Sequence, residues 1–110
     1  MLLIRSHRLR LLCLPGLLCA ANVLAEPAAQ RQDELVYLLM HDCGSCHGLH
    51  LAGGLGPALN PDRLAGKPLQ LLVATILDGR PGTAMPPWRP FISEDEARWL
   101  ARGLLQGSLP

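Results

Sequence analysis

Residues 43–47 read Cys-Gly-Ser-Cys-His. Two thiols separated by two small residues, with an imidazole directly after them, support three chemistries. They can cycle as a thiol–disulfide pair, hold a metal ion, or attach a haem through two thioethers with the histidine placed under the iron. Far along the chain stands a fourth side chain with ligand chemistry, the thioether of Met85, with Pro86-Pro87 directly after it.

The rest of the chain discriminates among these chemistries. A structural zinc site needs four ligands, ordinarily a second Cys or His pair downstream. Cys43, Cys46, His47 and His50 supply a first cluster, but no cysteine or histidine occurs after His50. A thioredoxin-like pair belongs beside a βαβ pattern, and no strand pattern is present. A disulfide closing so short a loop staples little and leaves His47 without a task. Covalent haem uses all three side chains, because two closely spaced thiols reach vinyl groups on neighbouring pyrrole rings. An electron-carrying haem iron needs a second axial ligand. A thioether there favours the reduced state and raises the potential. Met40 lies too near His47 to reach the opposite haem face, and Met1 belongs to an N-terminal leader that is expected to be cleaved. Met85 remains, its backbone extended by the next residue, a proline, and its exit stiffened. His41 and His50 are the rival ligands, but single histidines near an exposed helix end are more often solvated.

Composition sets the compartment. The chain has 110 residues, room for one domain. Its 49% hydrophobic content is concentrated at the start. Met1–Ala25 carries a basic head (Arg5, His7, Arg8, Arg10), an apolar middle and the small-residue exit Val23-Leu24-Ala25. This is the pattern of a cleaved secretory signal, and the apolar run falls short of the ~20 residues of a bilayer span. The residue before Cys19 is leucine, not a small one, and no Arg-Arg pair occurs, so Sec export without lipidation is expected. Cys13 and Cys19 leave with that segment. The remainder, Glu26–Pro110, holds nine acidic and seven basic side chains, a net charge of −2. Nucleic-acid binding has no electrostatic basis there. The exported domain is expected in the periplasm, with no membrane contact after cleavage and as a monomer. With Phe91 its only phenylalanine and Tyr37 its only tyrosine, its core is thin and calls for a filler.

The positioning elements are helical. A mobile tail is expected over 26–31, and the folded domain over 32–110. From Gln32 a helix places Leu35, Leu38 and Leu39 on one face and runs directly into the Cys-Gly-Ser-Cys-His segment. Gly48–Lys67, rich in Gly and Pro, reads as loop with one helical turn at Asn60–Leu64, asparagine capping and proline first. Leu69–Asp78 is a second helix with Leu72, Val73, Ile76 and Leu77 inward. Gly79–Trp88 is a second loop. Ser93 and Glu96 form a capping box that starts a third helix reaching about Gln106, with Ala97, Leu100, Ala101 and Leu104 on its core face. The fold class is all-α, three main helices with long loops wrapped around one covalently bound haem.

The motifs Cys-Gly-Ser-Cys-His-Gly, Gly54–Leu59 (GLGPAL) and Thr83–Trp88 (TAMPPW) resemble the class I, His/Met, monohaem cytochromes c. The resemblance covers about Asp33–Gln106. The longer runs CHGLHLAGGLGPALNPDRLAG, TILDGRPGTAMPPW and SEDEARWL are similar to one branch, the small periplasmic NirC (cytochrome c55X) proteins of denitrifying bacteria, whose gene accompanies that for the haem-d1 nitrite reductase. The resemblance implies thioethers on Cys43 and Cys46, His47 and Met85 as the axial iron ligands, and a hydrogen bond from the other His47 nitrogen to the Pro57 carbonyl. Two roles stand open for Arg80 and Trp88. Each can bond a haem propionate; otherwise Arg80 is merely solvated and Trp88 merely covers the haem edge. The family crosses its first and last helices through an aromatic on each. Tyr37 is available on the first, whereas Trp99 is turned away from Ala97 and expected to lean toward Gly103 or to stay partly exposed.

The function these features imply is single-electron transfer, without catalysis, by one haem c and its iron. Its expected partners are periplasmic redox proteins, the haem-d1 nitrite reductase or the proteins that assemble haem d1. The alternatives are donation to another periplasmic oxidoreductase, or a peroxidase or gas-binding protein with a labile Met85.

Overall fold

The computed structural model describes residues 25–110. The expected signal segment, all but Ala25, lies outside the described residues. Six elements run in order: α1 (Ala29–Leu38), a π turn (Leu39–Cys43), α2 (Gly44–His47), α3 (Pro61–Leu64), α4 (Leu69–Asp78) and α5 (Glu94–Gln106). No strand occurs among the described residues. α1, the π turn and α2 form one continuous helical rod, so the molecule has three main helices, as expected.

Helix α1 begins at Ala29, three residues before Gln32. Half of the expected tail over 26–31 is therefore helical. Two bonds account for this: the Gln32 side chain donates to the Pro27 carbonyl at 2.8 Å, and the Gln32 amide donates to Ala28 at 2.9 Å. Arg31 then reaches across the molecule to Glu96 at 2.6 Å and to the Phe91 carbonyl at 3.2 Å. A residue assigned to a tail instead ties α1 to the start of α5.

Helices α3, α4 and α5 match their sequence signals. Asn60 accepts the Arg63 amide at 2.9 Å, with Pro61 in the first turn. Both halves of the Ser93/Glu96 capping box are formed. Ala97, Leu100, Ala101 and Leu104 are buried. The core is aliphatic, joining Leu35 and Leu39 of the first rod to Val73 and Leu77 of α4 and to the inner face of α5. None of the described aromatics is fully buried, which leaves the core as thin as its composition implies.

The aromatic crossing is absent. Tyr37 is 65% exposed and stacks on His41, ring centroids 4.1 Å apart. A Cβ on Gly103 would stand 2.5 Å from the Leu109 side chain, so Leu109 presses closest on that place. Trp99 is half-buried, beside Glu26, Asp95, Arg98 and Arg102. The Arg31–Glu96 pair stands in for the aromatic contact.

Glu96 thus serves twice, as the N3 residue of the cap and as the partner of Arg31. The hydrogen bond from Arg31 and the Ser93 backbone hold its carboxyl below the ordinary 4.5, against an opposing effect of burial. A carboxyl lowered in the folded state stabilises above its unfolded value, and that stability is lost as the pH falls through the folded value. Glu96→Ala should cost about 2 kcal/mol at neutral pH, roughly half from the cap and half from the pair. In denaturant unfolding, the stabilities of variant and parent should draw together as the pH falls below 4.5 and the parent's carboxyl is neutralised.

Candidate functional site

The three main helices and two loops enclose a cleft of about 560 Å3. That volume lies within the roughly 300–1,000 Å3 typical of cofactor sites. Its wall carries Cys43, Cys46, His47, Pro57, Arg80, Met85 and Trp88, every residue the sequence singled out for the site. The remainder is largely aliphatic, with Leu38, Leu39, Leu72 and Ile76 among it.

The π turn sets the register of the first wall. Its i→i+5 bond, from the Gly44 amide to the Leu39 carbonyl, widens the helix just before the thiols. Such turns re-aim the next side chains along the helix and recur at functional sites. Here the rod keeps Leu35 and Leu39 in the core while Cys43, Cys46 and His47 face the cleft. Both thiols are free. Burial, aided by the Asp42 charge, pushes the Cys43 thiol up to about 11.

The Gly48–Leu59 loop folds back onto the end of α2. Its Gly56 and Gly53 amides donate to the Cys46 and His47 carbonyls, both at 2.8 Å, satisfying carbonyls the short helix leaves open. This brings the Pro57 carbonyl to 2.6 Å from Nδ1 of His47. A carbonyl only accepts, so Nδ1 carries the proton and Nε2 keeps its lone pair, free to bind a metal. Gly56 lies flat against the same ring; a Cβ there would stand 2.8 Å from Cε1 and 2.9 Å from Nδ1. Leu51 anchors the loop by burying its side chain, and its backbone takes a left-handed φ of 54°. That conformation costs a leucine about 1–2 kcal/mol, which full burial of its side chain offsets.

The second loop presents Met85. Thr83 organises it, donating through Oγ1 to the Arg80 carbonyl at 2.7 Å and accepting the Met85 amide at 3.3 Å. The Arg80 amide donates to the Met85 carbonyl at 3.2 Å, and Trp88 and Arg89 cap the last carbonyls of α4. Gly79, φ 68°, is buried under this loop. A Cβ there would meet the Met85 carbonyl oxygen at 2.6 Å and the Pro86 backbone at 2.7 Å. Met40 does not reach the cleft, and His41 and His50 are exposed away from it.

Sequence reasoning missed Gly56, Gly79 and Leu51. The glycines were visible only as loop composition, since nothing in the order of residues shows which glycine a ring or a carbonyl presses against. Among the described residues no group of three or more His, Cys, Asp or Glu side chains is arranged to hold a bare metal ion. The donor set in the cleft is instead two thiols, an imidazole with its tautomer set, and a thioether, in apolar surroundings. These suit a covalently attached haem.

Such a cleft within an all-α frame defines a small c-type cytochrome. Known proteins agree. A family model described as cytochrome c oxidase, cbb3-type, subunit III matches residues 30–102. The cytochrome c55X of Pseudomonas aeruginosa is 53% identical over 94% of this chain and 89% of its own. That of Paracoccus denitrificans is 53% identical over 88% and 94%. A solved structure titled c-type cytochrome NirC superposes with a TM-score of 0.75 at 58% identity, covering 76% of this chain and all of that one. Cytochrome CL from Methylophaga aminisulfidivorans is more distant, TM-score 0.51 and 29% identity over 74% of this chain and 58% of its own. The chain belongs to the cytochrome c55X family of c-type cytochromes. One haem c, covalently bound and carrying iron, is accordingly its cofactor, and electron carriage its class of function.

Proposed function

We propose that this protein is a periplasmic one-electron carrier that donates to the haem-d1 nitrite reductase or to the proteins that assemble haem d1. The observation that carries the reading is the meeting of Cys43, Cys46, His47 and Met85 on one apolar cleft. The bound haem supplies the reversible ferric–ferrous couple. The chain does the rest. Cys43 and Cys46 hold the macrocycle through thioethers. His47, oriented by Pro57 and backed by Gly56, and Met85 would hold the iron, through Nε2 and the thioether sulfur. The aliphatic wall excludes water. With His47 and Met85 both committed to holding the iron, this reading would leave no position for a substrate, as befits a carrier. Trp88 and Arg80 both line the cleft; in this reading each would either bond a propionate or, for Trp88, cover the haem edge and, for Arg80, stay solvated.

Three findings support the partner and the compartment. One is the leader pattern of Met1–Ala25. Another is the absence, among the described residues, of any helix long and apolar enough to cross a membrane. The third is the resemblance to NirC. Stopped-flow mixing of the reduced protein with purified haem-d1 nitrite reductase tests the partner. Oxidation should be at least tenfold faster than by an unrelated periplasmic acceptor of similar potential. Equal rates would remove this partner. A denaturing gel without a haem-stained band, after expression with the haem-attachment machinery, would remove the carrier reading itself.

A further inference from the structure

The loop that presents Met85 has little core to rest on. From Arg80 to Pro87 every residue except Met85 is exposed. The hydrogen bonds of its tip, among Arg80, Thr83 and Met85, stay within the loop. What ties the loop to α4 is its base. There the Trp88 amide is shared between the Ile76 and Leu77 carbonyls at 3.2 and 3.1 Å, and the Arg89 amide reaches the Leu77 carbonyl at 3.2 Å. All three bonds lie at the long end of the N–H···O range. A shorter link crosses the same base. Arg89 forks onto Asp78, Nε to Oδ1 at 2.5 Å and Nη2 to Oδ2 at 3.2 Å. Asp78 is the last residue of α4 and Arg89 directly follows Trp88, so the fork joins the two ends of the loop. A planar guanidinium on both oxygens of a carboxylate is the strong, directional form of the ion pair. It also holds the Asp78 carboxyl below its ordinary 3.8, so both partners are charged at neutral pH.

We infer that Asp78 and Arg89 are positioning residues for the axial thioether: their fork closes the base of the loop and so holds the Met85 sulfur to the iron. The inference rests on Met85 being the ligand, and it adds what keeps that ligand in place. Neither side chain lines the cleft, so both act only through the loop. Arg89 is 58% exposed and Asp78 52%. An ion pair so open to solvent contributes modestly. Its effect therefore falls on how often the loop opens, and not on whether the resting protein is ligated.

Imidazole in excess displaces a thioether from ferric haem at a limiting rate set by loop opening, and loss of the far-red absorption follows it. In the ferric holoprotein, Arg89→Ala and Asp78→Asn should each speed displacement roughly threefold at low ionic strength. The double variant should be no faster than either single one, because both remove the same link. Added salt should bring the parent toward the variants. Before imidazole is added, all should keep the far-red absorption. Glu94→Gln is the control. It breaks the pair with Arg98 on α5, where Glu94 is 56% exposed, and it should leave the displacement rate alone. Variants that lose stability in denaturant but release Met85 at the parent's rate would overturn the inference, since the pair would then be merely structural. Additive effects of the two substitutions would overturn it as well, and so would an equal acceleration in E94Q. A parent lacking the far-red absorption would instead strike at Met85 ligation itself, before any displacement is measured.

Discussion

Replacing Met85 by alanine should abolish the far-red sulfur-to-ferric-iron absorption and lower the reduction potential by roughly 0.2 V, a quarter of the range that axial ligands command. A thioether binds ferrous iron better than ferric iron. At about 59 mV per power of ten for one electron, that fall corresponds to a three- to four-decade difference in its preference. The stiff Pro86-Pro87 exit and the Thr83 bonds leave no neighbour able to swing in as a substitute. Met40 faces elsewhere, and His41 and His50 lie outside the cleft. The variant should therefore bind carbon monoxide rapidly when reduced, where the parent resists it. Because Met85 is only partly buried, its loss should leave the helical circular dichroism intact. An unchanged far-red band would refute the ligand assignment. A second methionine cannot be invoked to rescue it.

The opposite side of the site gives the second large effect. Gly56→Ala adds one methyl group, at a backbone angle any residue adopts, to a position 2.8 Å from the His47 ring. Either the ring tilts or the loop lifts. Lifting the loop breaks the bonds to the Cys46 and His47 carbonyls, and tilting the ring breaks the 2.6 Å bond to Pro57. Overpacking of this kind costs about 1–3 kcal/mol. Losing the Pro57 acceptor also makes the imidazole a poorer electron donor to the iron, which should raise the potential. Gly66→Ala is the control. Gly66 has a φ of 75° and nothing within 4 Å of an added Cβ. It should cost about 1 kcal/mol of backbone strain and leave the spectrum and potential alone. If both variants behave alike, the close packing of Gly56 on His47 has no bearing on the iron.

Much of this molecule was legible before any coordinates. Leu69–Asp78 and the Ser93–Glu96 cap were readable because helical period and capping are local, set by residues three and four apart. Cys43, Cys46, His47 and Met85 were readable because their side chains are chemically rare and their spacing meets a fixed cofactor. The early start of α1 was not readable. Gln32 starts it by bonding Pro27 and Ala28, and Arg31 ties it down by finding Glu96 across the molecule, a pairing between residues far apart in the chain. Nor was the role of Leu109, which presses closest on Gly103.

The division has a physical basis. The order of residues by itself determined what the site holds: two thiols, an imidazole and a thioether are covalent facts, and no folding changes their chemistry. Only the tertiary structure decided how that chemistry is presented. The π turn aims the thiols. Gly56 and the Pro57 carbonyl set the ring and its tautomer, and Gly79 lets the Met85 loop close. Those outcomes depend on distances of a few ångströms between segments separate in sequence, and no local pattern encodes such distances.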